Sequence, residues 1–150
     1  MSKKLMELTV AEQLPASDWI TIDQATIDLF AEATGDHQWI HVDAERCAKE
    51  SAFKCTIAHG FLTVTLMPRA FYQMVSMDPD YPTMLNYGVE KIRFIEPVRV
   101  NDKVRFVCEL ANIEQKSTGR LFYFSTKAEI EGRTRPAMQG TFLMMLLGAA

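Results

Sequence analysis

Acids and imidazoles are concentrated in one short stretch of the chain, TGDHQWIHVD (34–43). It contains Asp36, His37, His41 and Asp43, and it holds two of the chain's three histidines. A carboxylate and a neutral imidazole that converge on one water molecule can orient it and exchange protons with it. Asp36 and His41 are not spaced to share a helix face, so a loop must bring them together. The stretch therefore predicts acid–base chemistry on water.

Each of these residues also has a structural interpretation. Asp36 could cap the turn after Gly35, and His41 could be a satisfied core histidine. His37 is expected to be exposed or structural. Asp43 is expected to cap the next helix and to hold the His41 ring through a hydrogen bond. We predict no metal site from Asp36, His37 and His41, because the chain has neither an HExxH helix nor a Cys/His set.

A second candidate element is AHG (58–60), which begins a long apolar segment. Gly60 would place an unpaired backbone N–H at the start of a helix, and glycine lets another group approach that backbone closely. An enolate formed from a carbonyl would be stabilised there. His59 is interpreted as a loop-packing residue, with a substrate contact as the alternative. Together with the acid–base pair, this element matches addition or removal of water next to a thioester carbonyl.

Helical patterns, which must position these residues, occupy the first half of the chain. An amphipathic helix is predicted between Asp23, its N-cap, and Gly35, where it ends. A second is predicted over residues 43–49. Residues 60–75 are apolar almost all round, which predicts a buried helix that Pro68 kinks or divides. The residues expected to face inward are Ile27, Phe30, Ala31 and Thr34 on the first helix and Ala44, Cys47 and Ala48 on the second.

From Met84 onward the hydrophobic period changes to two, which predicts strands. The predicted strands are 84–98, 103–113, 121–130 and 137–147, with a short extended piece upstream at 19–22. Turn residues at 101–102 and 117–119 predict hairpins, and hence an antiparallel meander. Helices followed by strands predict an α+β fold in a single domain over residues 1–150, with one long apolar helix wrapped by a sheet.

The composition argues against several classes of function. The net charge is −3 at pH 7 and no basic block is present, so nucleic-acid binding is not expected. The start lacks the apolar stretch of a secretory signal and the apolar tail is too short to span a bilayer, so no membrane role is expected. Cys47, Cys55 and Cys108 form no CxxC pair. We expect them to be small, buried, free thiols in a reducing cytoplasm.

The two chemical elements carry a resemblance to a known family. GDHQWIHVD (35–43), followed by AHGFLT (58–63), resembles the MaoC-like (R)-specific enoyl-CoA hydratases. The match is closest to their nodulation-protein-N-like branch, and the signature is G-D-x-N-P-x-H-x-D with a later H-G. The resemblance includes the NYGVEKIRF strand (86–94) and the EPV turn (96–98). It implies a hot-dog fold and a homodimer with its sites near the subunit interface. It also implies an acyl-CoA thioester substrate, with coenzyme A as part of that substrate and no metal or redox cofactor.

Carried over residue by residue, the resemblance makes Asp36 and His41 the catalytic pair. It makes the Gly60 N–H the group that polarises the thioester carbonyl. The reaction implied is syn hydration of trans-2-enoyl-CoA to (R)-3-hydroxyacyl-CoA, together with the reverse dehydration.

The chain departs from the family pattern at two places. Gln38 and Trp39 replace the usual Asn-Pro, which changes one wall of the pocket. Some relatives have a serine near the water where this chain has Pro68, so no hydroxyl is expected there. Asn86 is a candidate substrate-binding residue or, equally, a buried polar residue satisfied by backbone. The basic residues that could meet the coenzyme A phosphates, or else are simply solvated, are Arg93, Arg99, Lys103 and Arg105.

Two other functions stay open at this point. An acyl-CoA thioesterase shares the fold but usually lacks the paired G-D-x₄-H and H-G elements. A non-catalytic acyl-thioester-binding subunit would keep the pocket without turnover. The sequence does not specify the length or branching of the acyl chain, or whether coenzyme A or acyl carrier protein carries it.

Overall fold

The computed structural model describes residues 2–149. Its strands are β1 (Ile20–Thr21), β2 (Met84–Phe94), β3 (Lys103–Lys116), β4 (Gly119–Ile130) and β5 (Met138–Leu147). Its helices are α1 (Gln24–Thr34), α2 (Trp39–Val42), α3 (Ala44–Glu50), α4 (Gly60–Thr65) and α5 (Met67–Met74), with a 3₁₀ turn at Leu5–Glu7. The expected order of helices before a largely C-terminal sheet, and hence the α+β class, is confirmed.

The strands form one antiparallel sheet in the order β1-β3-β4-β5-β2. The predicted meander is confirmed for β3, β4 and β5, but the hairpin expected at 101–102 is wrong because β2 pairs with β5 instead. The connecting segment is held elsewhere: Ile95 donates to the Ala137 carbonyl, and Asn101 donates to the Ile22 carbonyl. The edge of β3 that β2 would need is already occupied by β1. As a result, β2 forms one edge of the sheet in the single chain.

The first helix forms as predicted between its two boundary residues. The Asp23 side chain accepts a hydrogen bond from the Thr26 amide, and Gly35 adopts the left-handed conformation with φ of 77°. Ile27 and Ala31 are buried, whereas Thr34 is exposed. The helix therefore ends at Thr34, two residues before Asp36.

The second predicted helix is present as α3, and Asp43 caps it by accepting from the Arg46 amide. Of its three expected inward residues only Cys47 is buried; Ala44 and Ala48 are exposed. A helix this short packs only one narrow stripe against its neighbours, so small residues beside the stripe stay in solvent.

The predicted central helix is divided into α4 and α5 at Leu66, which confirms the effect expected of Pro68. Pro68 lies in the first turn of α5, where its missing N–H costs no helical hydrogen bond. Phe71 packs edge-on against Phe124 of β4 with ring centroids 4.8 Å apart. The prediction of burial all round is wrong, since Phe61 is 69% and Tyr72 56% exposed. The sheet covers one side of these helices, and the open side carries Phe61 and Tyr72 together with the polar residues Thr65, Arg69 and Gln73.

The alternating strand patterns place the core as predicted. Val104, Phe106, Cys108 and Leu110 of β3 are all fully buried, and the matching face of β4 is buried with them. Burial raises the pKa of the Cys108 thiol to about 11. Cys47 is also buried, but Cys55 is partly exposed, contrary to expectation. No helix among residues 2–149 combines the length and hydrophobicity that crossing a bilayer requires.

Candidate active site

Asp36 and His41 come together as predicted, and His59 joins them. One side-chain oxygen or ring nitrogen from each of the three lies within 4.8 Å of the others. Asp36 follows the left-handed Gly35, and its carboxylate accepts from the Gln38 amide at 3.3 Å. His41 lies in the one-turn helix α2, where a plain loop was expected. The left-handed residue and the short helix together turn the chain so that the acid meets the imidazole.

The tautomer of His41 follows from its hydrogen bond. Its Nδ1 is 2.7 Å from the Ile57 carbonyl oxygen. Because a carbonyl oxygen only accepts, Nδ1 must carry the proton, and Nε2 of the neutral ring keeps its lone pair. The predicted ring contact with Asp43 is replaced by this bond, because Asp43 is engaged in capping α3. His41 is therefore held as a base with a defined free nitrogen.

Burial is the main influence on the protonation of His41, whose side chain is only 7% exposed. Desolvation lowers the pKa of His41, and the hydrogen bond to Ile57 works against that effect. The neighbouring His59 lowers the same pKa further, and the Asp36 carboxylate raises it. The net direction is down, so the ring is neutral at physiological pH.

A cavity of about 250 Å³ connects His41 with Gly60, the first residue of α4. A Cβ built on Gly60 would lie 2.9 Å from the Phe94 ring, so a larger residue here would displace that ring. As the first helical residue, Gly60 has an amide without an intrahelical acceptor. His41 and Gly60, the predicted base and the predicted carbonyl-polarising residue, thus line one cavity. The cavity lining is His41, Ile57, Ala58, Gly60, Thr63, Phe94, Ile95, Glu96, Pro97, Val98 and Ala137.

Two polar residues of this cavity were not predicted from the sequence. Thr63 lies one helical turn after Gly60 and lines the cavity, so a hydroxyl is present although Pro68 supplies none. Glu96 also lines it and pairs with Arg135 at 2.9 Å. The helical spacing of Gly60 and Thr63 was a usable signal for the first. Glu96 belongs to the EPV turn (96–98), but no local pattern gave it a place in the cavity. It reaches the cavity because the segment after β2 folds back against residues 136 and 137.

Asn86 is not brought to this cavity. It is exposed on β2 and lines a separate cavity of about 250 Å³ beside Val64, Pro68 and Val89. The alternative of a buried, backbone-satisfied Asn86 is also wrong, and a substrate contact remains a prediction. His37 is exposed as expected, with Nε2 3.6 Å from the Glu32 carboxylate.

Asp36, His41 and His59 carry the kinds of ligand atom that a metal ion binds, so the orientation of the two imidazole rings matters. The rings of His41 and His59 are stacked, with centroids 3.8 Å apart and planes inclined by 24°. An imidazole coordinates a metal in the plane of its ring, and nearly parallel planes do not converge on one nearby ion. The geometry therefore suits a water molecule better than a shared metal, and the absence of a metal remains a prediction.

The pKa of His41 predicts the acid limb of the pH–rate profile. Activity should be constant while Nε2 is unprotonated and fall as pH drops below the ordinary histidine value of 6.5, with a midpoint under that value. The unfolded chain binds this proton at higher pH than the folded chain does. The free energy of unfolding should therefore also fall as pH drops through the same window.

Both trends are measured on one sample, by kcat/KM against pH, which reports ionisation of the free enzyme, and by urea unfolding at each pH. The unfolding data show where the folded fraction falls, so loss of fold is separated from loss of base. A kcat/KM midpoint above 6.5 would contradict the assignment of His41 as the neutral base.

Known proteins are similar to this chain in both sequence and architecture. A family model described as a MaoC like domain matches residues 6–131. The chain is 46% identical over 127 residues to 3-hydroxyacyl-thioester dehydratase Z of Mycobacterium tuberculosis, covering 84% of this chain and 83% of the relative. It is 39% identical over 138 residues to nodulation protein N of Rhizobium leguminosarum, covering 91% and 86%.

Among solved structures, an R-hydratase of Pseudomonas aeruginosa superposes with a TM-score of 0.77 at 23% identity, covering 97% of this chain and 86% of that one. An (R)-hydratase from A. caviae superposes with a TM-score of 0.75 at 21% identity, covering 93% of this chain and 98% of that one. The predicted hot-dog fold is confirmed by these neighbours. Since the family model spans most of the sequence, the chain belongs to the MaoC-like dehydratase family.

Proposed function

We propose that this chain catalyses the reversible hydration of a trans-2-enoyl thioester to an (R)-3-hydroxyacyl thioester. Coenzyme A is the proposed carrier, and no metal or redox cofactor is needed. The observation that carries the proposal is the proximity of Asp36 to His41, which together with Gly60 lines one cavity. Dehydration is the direction named in the mycobacterial relative, and the (R) configuration is what the 35–43 motif implies.

The proposed site works on a water held by two acceptors. The His41 Nε2 lone pair and the Asp36 carboxylate each accept one of its hydrogens. One of the pair takes a proton as the water oxygen bonds to C3, and that proton is then passed to C2 on the same face. The atoms of one water are thereby added, and both side chains return to their starting state. Microscopic reversibility gives the dehydration.

Attack at C3 moves electrons from the C2–C3 double bond to the thioester oxygen. In this proposal the Gly60 N–H donates to that oxygen as its charge grows. Apolar walls from Ile57, Phe94 and Val98 keep bulk water from competing with that hydrogen bond. The amide is therefore most useful in the enolate-like transition state.

The proposed active form is a homodimer built on the β2 edge. Leu85, Tyr87, Val89 and Phe94 of β2 are each close to half exposed, although all are large and apolar. An apolar edge strand with unpaired backbone groups is a site for strand pairing. The exposed face of α4 and α5, with Phe61 and Tyr72, gives a second copy further apolar area to cover.

Crotonyl-CoA separates the proposed function from its alternatives. Loss of the enone absorbance without release of free thiol is the expected result for a hydratase. Thiol release would instead establish a thioesterase, and tight binding with neither change would establish a non-catalytic binding subunit. Chiral analysis of the product tests the (R) assignment. Repeating the assay with enoyl thioesters of coenzyme A and of acyl carrier protein, graded in chain length, identifies the carrier and the acyl preference.

A further inference from the structure

We propose that His59 is a positioning residue that holds both members of the Asp36–His41 pair in place. It packs against them through two different parts of its ring, one polar and one aromatic. The inference rests on the proposed function for its kinetic consequences. Its structural consequences can be tested without any substrate.

The polar part of His59 fixes the peptide group of Asp36. His59 Nε2 lies 2.9 Å from the Asp36 carbonyl oxygen, so Nε2 must carry the proton and donate it. The two other hydrogen bonds that Asp36 makes are longer: its amide is 3.4 Å from the Thr34 hydroxyl, and its carboxylate accepts from the Gln38 amide at 3.3 Å. Asp36 itself is exposed and follows the left-handed Gly35, so little packing restrains it. The bond from His59 is the buried anchor of the acid.

The aromatic part of His59 supports His41. The two rings stack with centroids 3.8 Å apart, and the Phe30 ring of α1 contacts His59 at 4.9 Å. This stack restrains rotation of the His41 ring about its side-chain bonds. Nδ1 thus stays on the Ile57 carbonyl while Nε2 stays available. An error of about 1 Å in the position of a reacting group costs on the order of 10²-fold in rate.

The tautomer of His59 follows from the surroundings of its two ring nitrogens. Its side chain is 3% exposed, and Nδ1 has no hydrogen-bond partner among the described residues. A proton on Nδ1 would therefore be a buried N–H without an acceptor, directly against His41. The facing groups from the packed elements are Asp36, His41 and the neutral Phe30. The stacked pair is therefore predicted to hold opposite tautomers, Nδ1–H on His41 and Nε2–H on His59.

Three substitutions separate the two contacts of His59. His59→Gln places an amide N–H near the former Nε2 and keeps the bond to Asp36 but not the ring. His59→Phe keeps a planar ring but not the donor. His59→Asn keeps neither, because its shorter amide matches the Nδ1 position. We expect His59→Asn to lower kcat about 10²-fold, and each of the other two about tenfold, with little change in KM.

His37→Asn is the matched control, because His37 is an exposed histidine beside the same acid and should leave kcat unchanged. Urea unfolding of every variant identifies those whose kcat falls through loss of fold. Wild-type kcat in folded His59→Asn would overturn the positioning role while leaving the proposed hydration intact. Rescue by neither Gln nor Phe would overturn the division into two contacts.

Nitrogen-15 NMR of the imidazoles gives the readout that needs no turnover. The chain has three histidines, so the long-range spectrum of labelled protein is assigned with the His37→Asn and His59→Asn variants, each of which removes one ring. We expect the opposite tautomers described above, and a mixture of tautomers for His41 in His59→Asn. A single unchanged His41 tautomer in that variant, or equal tautomers in the wild type, would overturn the proposal. These results stand even if no enoyl thioester is hydrated.

Discussion

Replacing Asp36 with Asn is expected to lower kcat for enoyl-thioester hydration about 10³-fold, equivalent to about 4 kcal/mol of transition-state stabilisation. The amide oxygen of Asn can still accept from the Gln38 amide, as Oδ1 of Asp36 does at 3.3 Å, so the turn should persist. What is lost is the second acceptor for the water. The measurement is kcat on crotonyl-CoA with matched unfolding curves.

His41→Asn is the equivalent change on the base. The shorter amide can keep a donor on the Ile57 carbonyl, where Nδ1 now donates at 2.7 Å, while it removes Nε2 altogether. We expect kcat to fall about 10²- to 10⁴-fold, which is the range for a general acid–base group. Because the pair acts as a unit on one water, Asp36→Asn/His41→Asn should be about as slow as the slower single variant.

A doubly substituted enzyme that hydrates at the wild-type rate would disprove the site assignment. Losses that multiply would instead show that the two groups act in separate steps. His37→Asn again serves as the control, since it changes an exposed histidine of the same stretch without touching the cavity.

Leu85→Lys/Val89→Lys is expected to convert the protein from dimer to monomer. Both residues lie on the β2 edge, and both are about half exposed in the single chain. Two ammonium groups placed where a second copy must pack would have to be desolvated without partners, which costs several kcal/mol. Natural edge strands use lysine to prevent such pairing.

Sedimentation equilibrium measures this outcome directly. One chain has a mass of 17.0 kDa, so the wild type is expected at twice that mass and the variant at the single mass. Leu29→Lys is the matched control, because Leu29 is a 71% exposed leucine on α1, remote from β2 in sequence. A monomeric wild type, or a Lys/Lys variant that still dimerises, would contradict the β2 interface.

The parts of the fold that follow local rules were predictable from the sequence. Asp23 and Gly35 bounded α1 because capping and left-handed termination depend on single residues. The buried faces of β3 and β4 followed from strict alternation. The position of β2 in the sheet could not be predicted in this way. It depends on which edge of the sheet is free, and β1 occupies the edge beside β3, so β2 pairs with β5. A two-residue strand gives too weak a pattern to reveal that competition.

The candidate site divides in the same way. Asp36, His41 and Gly60 were found from residue types, spacing and the family resemblance. His59 was interpreted as packing because its partners, the Asp36 carbonyl and the His41 ring, are distant in sequence. Asp43 was given a contact with His41 that Ile57 makes instead, since a backbone carbonyl leaves no trace in the side-chain pattern. Such contacts are set by tertiary structure.

The uneven burial of the three cysteines makes the chain suitable for single-site labelling. Cys47 and Cys108 are shielded, and the high pKa of Cys108 keeps its thiolate scarce, whereas Cys55 is partly exposed. Cys55 lies two residues before Ile57, whose carbonyl accepts the hydrogen bond from His41. A maleimide or trifluoromethyl reporter should therefore attach selectively at Cys55 of the native enzyme. It would then sense acyl-thioester entry without any engineered substitution.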